Sequence, residues 1–134
     1  MRKLIILVSV IALAAMLSGC CSVCNFSKSF DIGMSKNVYT LGSYSFEETD
    51  VSLTEGDVLN YTVSSNGPAV DIYILDEENF ELLKANSTEW VELHSDYADP
   101  VVSGQFIAPE TRTYYFVVDN YNEQSAVVNT DLKW

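Results

Sequence analysis

The 134-residue chain carries 7 Lys/Arg against 19 Asp/Glu, which gives a formal net charge of −12. Two of the cations precede residue 20 and the others are scattered, whereas all 19 acidic residues follow it. Nucleic-acid binding and polybasic contact with a membrane both need clustered Lys and Arg, so the composition excludes these two classes of partner.

The first element in the chain has the features of a targeting signal. Arg2 and Lys3 give a positive start, and Ser9 is the sole polar side chain in the apolar run 4–17. A helix of this length spans about 21 Å at ~1.5 Å per residue, less than the ~30 Å hydrocarbon core of a bilayer. We therefore predict that residues 1–19 are a cleaved signal peptide and not a membrane-spanning helix.

The apolar run ends in Leu17-Ser18-Gly19-Cys20, which resembles the lipobox at which lipoprotein precursors are cut and lipidated. The small side chains before Cys20 admit a peptidase, and its thiol can accept a diacylglyceryl group. Because two or three acyl chains hold a protein on a bilayer far more firmly than one, the resemblance implies a lipid anchor. The expected location is the extracytoplasmic side of a cell membrane or outer envelope.

The other cysteines, Cys21 and Cys24, form a C-x-x-C pair if Cys20 carries lipid. A disulfide between them is favoured outside the cytoplasm, and further acylation or free thiols are the alternatives. A structural zinc site would need two more ligands, and His94 is the sole histidine. Residues 26–36 lack the amphipathic period of a redox motif at a helix start, so we expect neither zinc nor redox chemistry here.

The rest of the chain divides into a polar tether, residues 20–36, and a domain, residues 37–134, with the size of one sandwich. Short runs rich in Val, Ile, Tyr and Phe alternate with polar residues between turn signals. This pattern predicts an all-β fold, a single antiparallel, jelly-roll-like β-sandwich of about seven or eight strands. A turn or two of helix fits only 77–86. Nine segments are candidates for these seven or eight strands: 39–46, which is weak because Gly42 breaks it, then 49–53, 58–63, 69–75, 80–83, 90–93, 101–108, 113–118 and 125–132.

Four segments of this domain carry a family resemblance: EGDVL at 55–59, VDIYIL at 70–75, GQFIAP at 104–109 and TYYFVVDN at 113–120. Together they resemble the extracellular sandwiches of the pre-peptidase C-terminal type and the related GOLD-type sandwich, over residues 49–132. The resemblance implies a non-catalytic accessory module that binds protein or carbohydrate, in some cases with calcium.

Catalysis is not expected from the residues themselves. A serine or cysteine nucleophile activated by histidine would have to use His94, and nothing around it resembles a nucleophile elbow. On an extended segment His94 shares a polar face with Glu92 and Asp96. Carboxylates are so numerous that a glycosidase-like pair cannot be assigned from spacing.

Two sets of side chains are candidates for binding sites. Oxygen ligands on expected loops suit calcium, at 76–79 and, better, at Asp119, Asn120, Asn122 and Glu123, although Asp and Asn also form ordinary turns. Aromatic side chains beside polar residues suit a protein or carbohydrate ligand, although burial in the core explains them equally well. These aromatic residues are Trp90, Tyr97 and Tyr121.

The sequence therefore predicts a membrane-anchored cell-surface lipoprotein whose sandwich is a non-catalytic binding or adaptor module for protein or glycan. The alternative is a structural or substrate-presenting subunit of an envelope transporter or enzyme complex.

Replacing Cys20 tests the anchor directly. Protein purified from its native membrane should have the intact mass of a chain that begins at Cys20 and carries a diacylglyceryl group. Cys20→Ser should lose the lipid because no thiol remains at the lipobox position, whereas the control Cys21→Ser should keep it. A wild-type chain that is cut elsewhere and carries no lipid would contradict the prediction.

Overall fold

The computed structural model describes residues 33–134, which form eight β-strands and one α-helix. The strand and helix bounds in chain order are β1 (Met34–Leu41), β2 (Ser45–Leu53), β3 (Val58–Asn66), β4 (Val70–Leu75), α1 (Glu77–Lys84), β5 (His94–Ala98), β6 (Val101–Ile107), β7 (Arg112–Asn120) and β8 (Ala126–Lys133).

The strands form two four-stranded sheets, sheet A in the order β1-β8-β3-β6 and sheet B in the order β2-β7-β4-β5. The antiparallel pairs are nested along the chain: β4 pairs with β5, β3 with β6, β2 with β7 and β1 with β8. This strand order is that of a jelly roll, so the predicted antiparallel jelly-roll-like sandwich is confirmed.

The core forms where the inner faces of the two sheets meet. Along β3, Leu59, Tyr61 and Val63 are buried, while Asn60 and Thr62 between them are exposed, the two-residue period of a strand with one covered face. The Tyr61 ring contacts that of Phe116 in β7, with centroids 5.3 Å apart. Each large apolar side chain buried in this layer stabilises the fold by about 1.5–3 kcal/mol.

Helix α1 covers part of the outer face of sheet B. The Asp76 side chain caps the helix by accepting a hydrogen bond from the Asn79 backbone N–H at 3.0 Å. Phe80 and Leu83 are buried on the side of the helix that faces the sheet. The Phe80 ring stacks on Tyr115 of β7 at a centroid distance of 4.2 Å. The helix thereby buries the outward-facing Val117, which would otherwise lie exposed on β7.

Two of the predicted strands are wrong. Residues 80–83 belong to α1, because the cap at Asp76 starts a helix whose apolar residues recur at the helical spacing of three. Residues 90–93 lie outside the strands, and β5 begins one residue later at His94. His94 and Asp96 face inward on β5, so its pattern does not have the apolar period of the other strands.

The bounds of the first strands also differ from the prediction. The segment 39–46 is divided by a turn at 42–44 into the end of β1 and the start of β2. Strand β1 begins at Met34, within the segment predicted as a tether, because Met34 already pairs with Lys133 of β8. The predictions for the signal peptide 1–19 and for Cys20, Cys21 and Cys24 fall outside the described residues. Within residues 33–134, no helix is both long and apolar enough to cross a membrane.

Gly104 of β6 is a specific requirement of this core. It lies opposite Tyr61, and a Cβ atom at this position would overlap the Tyr61 phenol. We expect Gly104→Ala to lower the free energy of unfolding by about 1–3 kcal/mol, the usual cost of an overpacked core. Urea unfolding measures the change, with the exposed neighbour Ser103→Ala as the control. Equal stability of the two variants would contradict this assignment.

Candidate functional site

Two carboxylates face each other on the outer face of sheet B. Asp71 of β4 pairs directly with Asp119 of β7, and Ile72 and Val118 beside them point into the core. Because alternate residues of a strand share a face, Asp71 and Asp119 both project outward. Asp119 is only 5% exposed, whereas Asp71 is half-buried.

Aromatic side chains surround this pair. Tyr97 of β5 lies directly opposite Asp71 and is 57% exposed. Tyr73, two residues along β4 on the same face, packs edge to face on Trp90 with centroids 5.0 Å apart. Tyr121 follows β7 and lines, together with Trp90, a recess of about 470 Å³. We call this surface the aromatic–carboxylate patch: Asp71, Tyr73, Trp90, Tyr97, Asp119 and Tyr121.

The carboxyl groups of the patch hold their protons more strongly than usual. Burial raises the pKa of Asp119, and the negative charge of Asp71 raises it further. Burial likewise raises the pKa of Asp71. Two hydrogen bonds act in the opposite direction, because each stabilises an ionised carboxylate. The Tyr121 hydroxyl lowers the pKa of Asp119, and the Tyr73 hydroxyl lowers the pKa of Asp71. In turn, burial and the charge of Asp119 raise the pKa of Tyr121.

No cation of the described part of the chain neutralises the patch. In residues 33–134 each Lys and Arg pairs with another carboxylate: Lys36 and Lys133 with Asp131, Lys84 with Glu81, and Arg112 with Asp76 and Glu110. Like charges directly opposite on neighbouring strands destabilise a sheet. The patch can therefore accept a positive charge that the domain does not supply.

The structure brings together the three aromatic residues that the sequence proposed for ligand binding, Trp90, Tyr97 and Tyr121. Asp71 and Tyr73 were missed. The apolar alternation of Val70, Ile72 and Ile74 puts both on the opposite face of the strand, so the pattern contained this information. What the sequence does not show is that β7 and β5 flank β4 and complete the site.

The residues proposed for calcium have mainly structural contacts. Asn120 is fully buried, and its amide nitrogen donates hydrogen bonds to the carbonyl oxygens of Gly42 and Gln124, both at 2.8 Å. The Asn122 side chain donates to the Ala69 carbonyl oxygen at 2.9 Å, which ties two loops together. Asp119 belongs to β7 and to the patch, while Glu123 lies exposed on the loop.

The other calcium candidate, 76–79, forms the start of α1, where Asp76 is the cap. Across residues 33–134, no three His, Cys, Asp or Glu side chains lie close enough together to hold a metal ion. Calcium binding stays a prediction.

His94 lies at the open side of the sandwich, on the inner face of the edge strand β5. Its Nε2 atom is 2.7 Å from the Tyr61 hydroxyl, which also donates to Asp96 Oδ2 at 2.9 Å. The predicted shared polar face therefore holds for His94 and Asp96, whereas Glu92 lies before the strand. The contact with Tyr61 across the two sheets could not be read from the sequence.

Comparison with protein-family models and with curated protein sequences gives no match. The solved structures that share the fold include the following two. A mitogen derived from Yersinia pseudotuberculosis matches with a TM-score of 0.54 at 10% identity, over 75% of this chain and 85% of its own. A periplasmic inhibitor of g-type lysozyme from Aeromonas hydrophila matches with a TM-score of 0.52 at 10% identity, over 76% of this chain and 86% of its own.

The paired carboxylates predict a measurable cost in stability. A carboxyl whose pKa is raised by folding favours the folded state at low pH and costs stability as the pH rises from its ordinary pKa to the raised one. Asp119→Asn should therefore increase the free energy of unfolding at pH 7 by up to about 1 kcal/mol, the range for like charges on opposite strands.

The gain should shrink as the pH falls towards 4, because more of the wild-type carboxyls are then protonated. Urea unfolding at pH 7 and pH 4 measures the gain in the free energy of unfolding. The control is Asp50→Asn, because Asp50 of β2 is an exposed carboxyl on the same outer face of sheet B. A loss of stability for Asp119→Asn at pH 7 would show that the Asp119 charge stabilises the fold.

Proposed function

We propose that the protein is a lipid-anchored protein of a cell envelope whose jelly-roll domain is a non-catalytic binding module. Its ligand site is the aromatic–carboxylate patch. The lipobox-like segment ending at Cys20 supports the anchor. The patch supports the binding role, because it combines exposed aromatic area with two carboxylates that no Lys or Arg of residues 33–134 pairs.

The single observation that carries this proposal is the un-neutralised pair Asp71 and Asp119 inside an aromatic rim. A guanidinium or ammonium group placed between the two carboxylates would remove their mutual repulsion and form charge-assisted hydrogen bonds. The rings of Tyr97 and Trp90 would add cation–π attraction, worth about 0.5–2 kcal/mol. These are the contacts that a Lys or Arg side chain makes best.

Of the two partner classes expected from the sequence, the patch favours a protein over a glycan. Trp, Tyr and Arg are the residues that most often dominate the binding energy of protein interfaces, and an arginine bound at this aromatic patch would be such a contact. A glycan would use the rings and hydrogen-bonding groups but would not relieve the repulsion between two carboxylates. The fold is compatible with this role, since one structural neighbour is an inhibitor of a lysozyme.

A pair of peptides that differ in one charge tests the site. A blocked Gly-Arg-Gly peptide should shift the backbone NMR signals of Asp71, Tyr97 and Tyr121 and the indole N–H signal of Trp90. The neutral isostere Gly-citrulline-Gly should shift none of them. Asp119→Asn should weaken the binding of the arginine peptide at least about tenfold, since one of two charge-assisted contacts is lost.

The control variant is Asp50→Asn, which removes the same charge from the same face of sheet B and should leave the affinity unchanged. Equal shifts by the arginine and citrulline peptides would contradict a cation site. If an oligosaccharide shifted the same signals and the arginine peptide shifted none, the patch would be a glycan-binding site instead.

A further inference from the structure

Tyr61, His94 and Asp96 form a hydrogen-bonded cluster between the two sheets, which we call the inter-sheet triad. We propose that the inter-sheet triad holds the edge strand β5 in place and so positions Tyr97 on the aromatic–carboxylate patch. The consequence for binding rests on the function proposed above, whereas the effect on β5 does not.

The hydroxyl of Tyr61 is the link between the sheets. The Tyr61 side chain belongs to β3 of sheet A and is only 2% exposed, while His94 and Asp96 belong to β5 of sheet B. The hydroxyl has one hydrogen and donates it to Asp96 Oδ2, so the bond to His94 requires Nε2–H as the donor. The ring of His94 also packs edge to face on that of Tyr61, at a centroid distance of 5.9 Å.

Asp96 links the Tyr61 hydroxyl to the backbone of Tyr97. One carboxylate oxygen of Asp96, Oδ2, accepts the Tyr61 hydroxyl, and the other, Oδ1, accepts the backbone N–H of Tyr97 at 2.9 Å. A continuous path of hydrogen bonds therefore runs from the core of sheet A to the backbone of the residue whose ring lies opposite Asp71. This arrangement also satisfies a backbone donor on an edge strand, which otherwise would face solvent unpaired.

The triad is more than a way to fill the core. Phenylalanine at position 61 could make the same ring contact with Phe116 without the cost of burying a hydroxyl beside a half-buried carboxylate. The chain also has glycine at position 104, which leaves the space through which the Tyr61 phenol reaches β5. Tyr61 and Gly104 of sheet A are thus both needed for the hydrogen bonds to β5 of sheet B.

The test compares two buried tyrosines, each losing one hydroxyl. Tyr61→Phe removes the link to β5, whereas Tyr114→Phe removes a hydroxyl that donates to the Glu110 carbonyl oxygen at 2.7 Å and has no contact with β5. The first readout is amide hydrogen exchange of Tyr97, with Ile72 of the neighbouring strand as the internal reference. We expect exchange at Tyr97 to be about tenfold faster in Tyr61→Phe and unchanged in Tyr114→Phe.

The second readout is the affinity for the blocked Gly-Arg-Gly peptide, which should fall about three- to tenfold in Tyr61→Phe and stay unchanged in Tyr114→Phe. Asp96→Asn should behave like the wild type, because the amide oxygen can still accept the Tyr97 N–H and the amide nitrogen can donate to the Tyr61 hydroxyl oxygen. Asp96→Ala should accelerate exchange as Tyr61→Phe does, with no further increase in the double variant.

The two readouts separate the two proposals. Equal exchange rates at Tyr97 in the two tyrosine variants would overturn the positioning role, whatever the affinity. Faster exchange in Tyr61→Phe in a protein that does not bind the peptide even as the wild type would support the positioning of β5 and reject the cation site. Lower affinity in Tyr61→Phe with unchanged exchange would also reject the inter-sheet triad as the cause.

Discussion

The inner faces of the two sheets are buried only against each other, and this single layer of contact determines how the rest of the molecule is arranged. Its centre is the packing of Tyr61 in β3 against Phe116 in β7, 5.3 Å between ring centroids. Because one face of each strand is committed to this layer, every functional side chain must lie on an outer face, on a loop or at an open side. On sheet B, α1 covers one part of the outer face, and the aromatic–carboxylate patch lies on another part.

The patch and the core have opposite requirements. The core is stabilised by apolar area, and its polar side chains are mostly paired, as in the inter-sheet triad; in the described residues the buried Thr130 Oγ1 has no partner. The patch keeps two carboxylates opposite each other although neutral side chains would suit the fold better. Side chains that lower the stability of the free protein and would be neutralised by a partner are typical of binding sites, where function rather than packing determines the residue type. This pair of like charges lies on strands whose inner faces are well packed.

Much of the fold follows from the sequence, because a strand with one buried face has a period of two residues. Val51 and Leu53, the alternation along β3, and the aromatic run in β7 predict their strands close to the observed bounds. The pattern fails where another interaction replaces apolar burial. The cap at Asp76 starts a helix that includes residues 80–83. Strand β5 has no apolar alternation because His94 and Asp96 face inward, and their hydrogen-bond partner Tyr61 is distant in sequence.

The candidate site was predictable only in part, for the same reason. Trp90, Tyr97 and Tyr121 attract attention as aromatic residues in polar surroundings, and Asp119 as an oxygen ligand. That Asp71 pairs with Asp119 depends on β4 lying beside β7, which no local pattern determines. Asn120 illustrates the opposite case: its residue type suggests a ligand, but its position at the end of a buried strand makes it a support for the loops.

The pairing of β1 with β8 has a mechanical consequence. The described chain enters the sandwich at the end of β1 where Met34 pairs with Lys133, whereas Asp119 and Tyr121 lie near the other end, beside the turn that follows Leu41. A force between residue 33 and a partner held at the patch would act along the length of β1. The backbone hydrogen bonds along this 8-residue strand would then be loaded in shear and share the force, instead of opening one after another from an end. The topology therefore lets the whole of β1 resist a force that is applied between these two points.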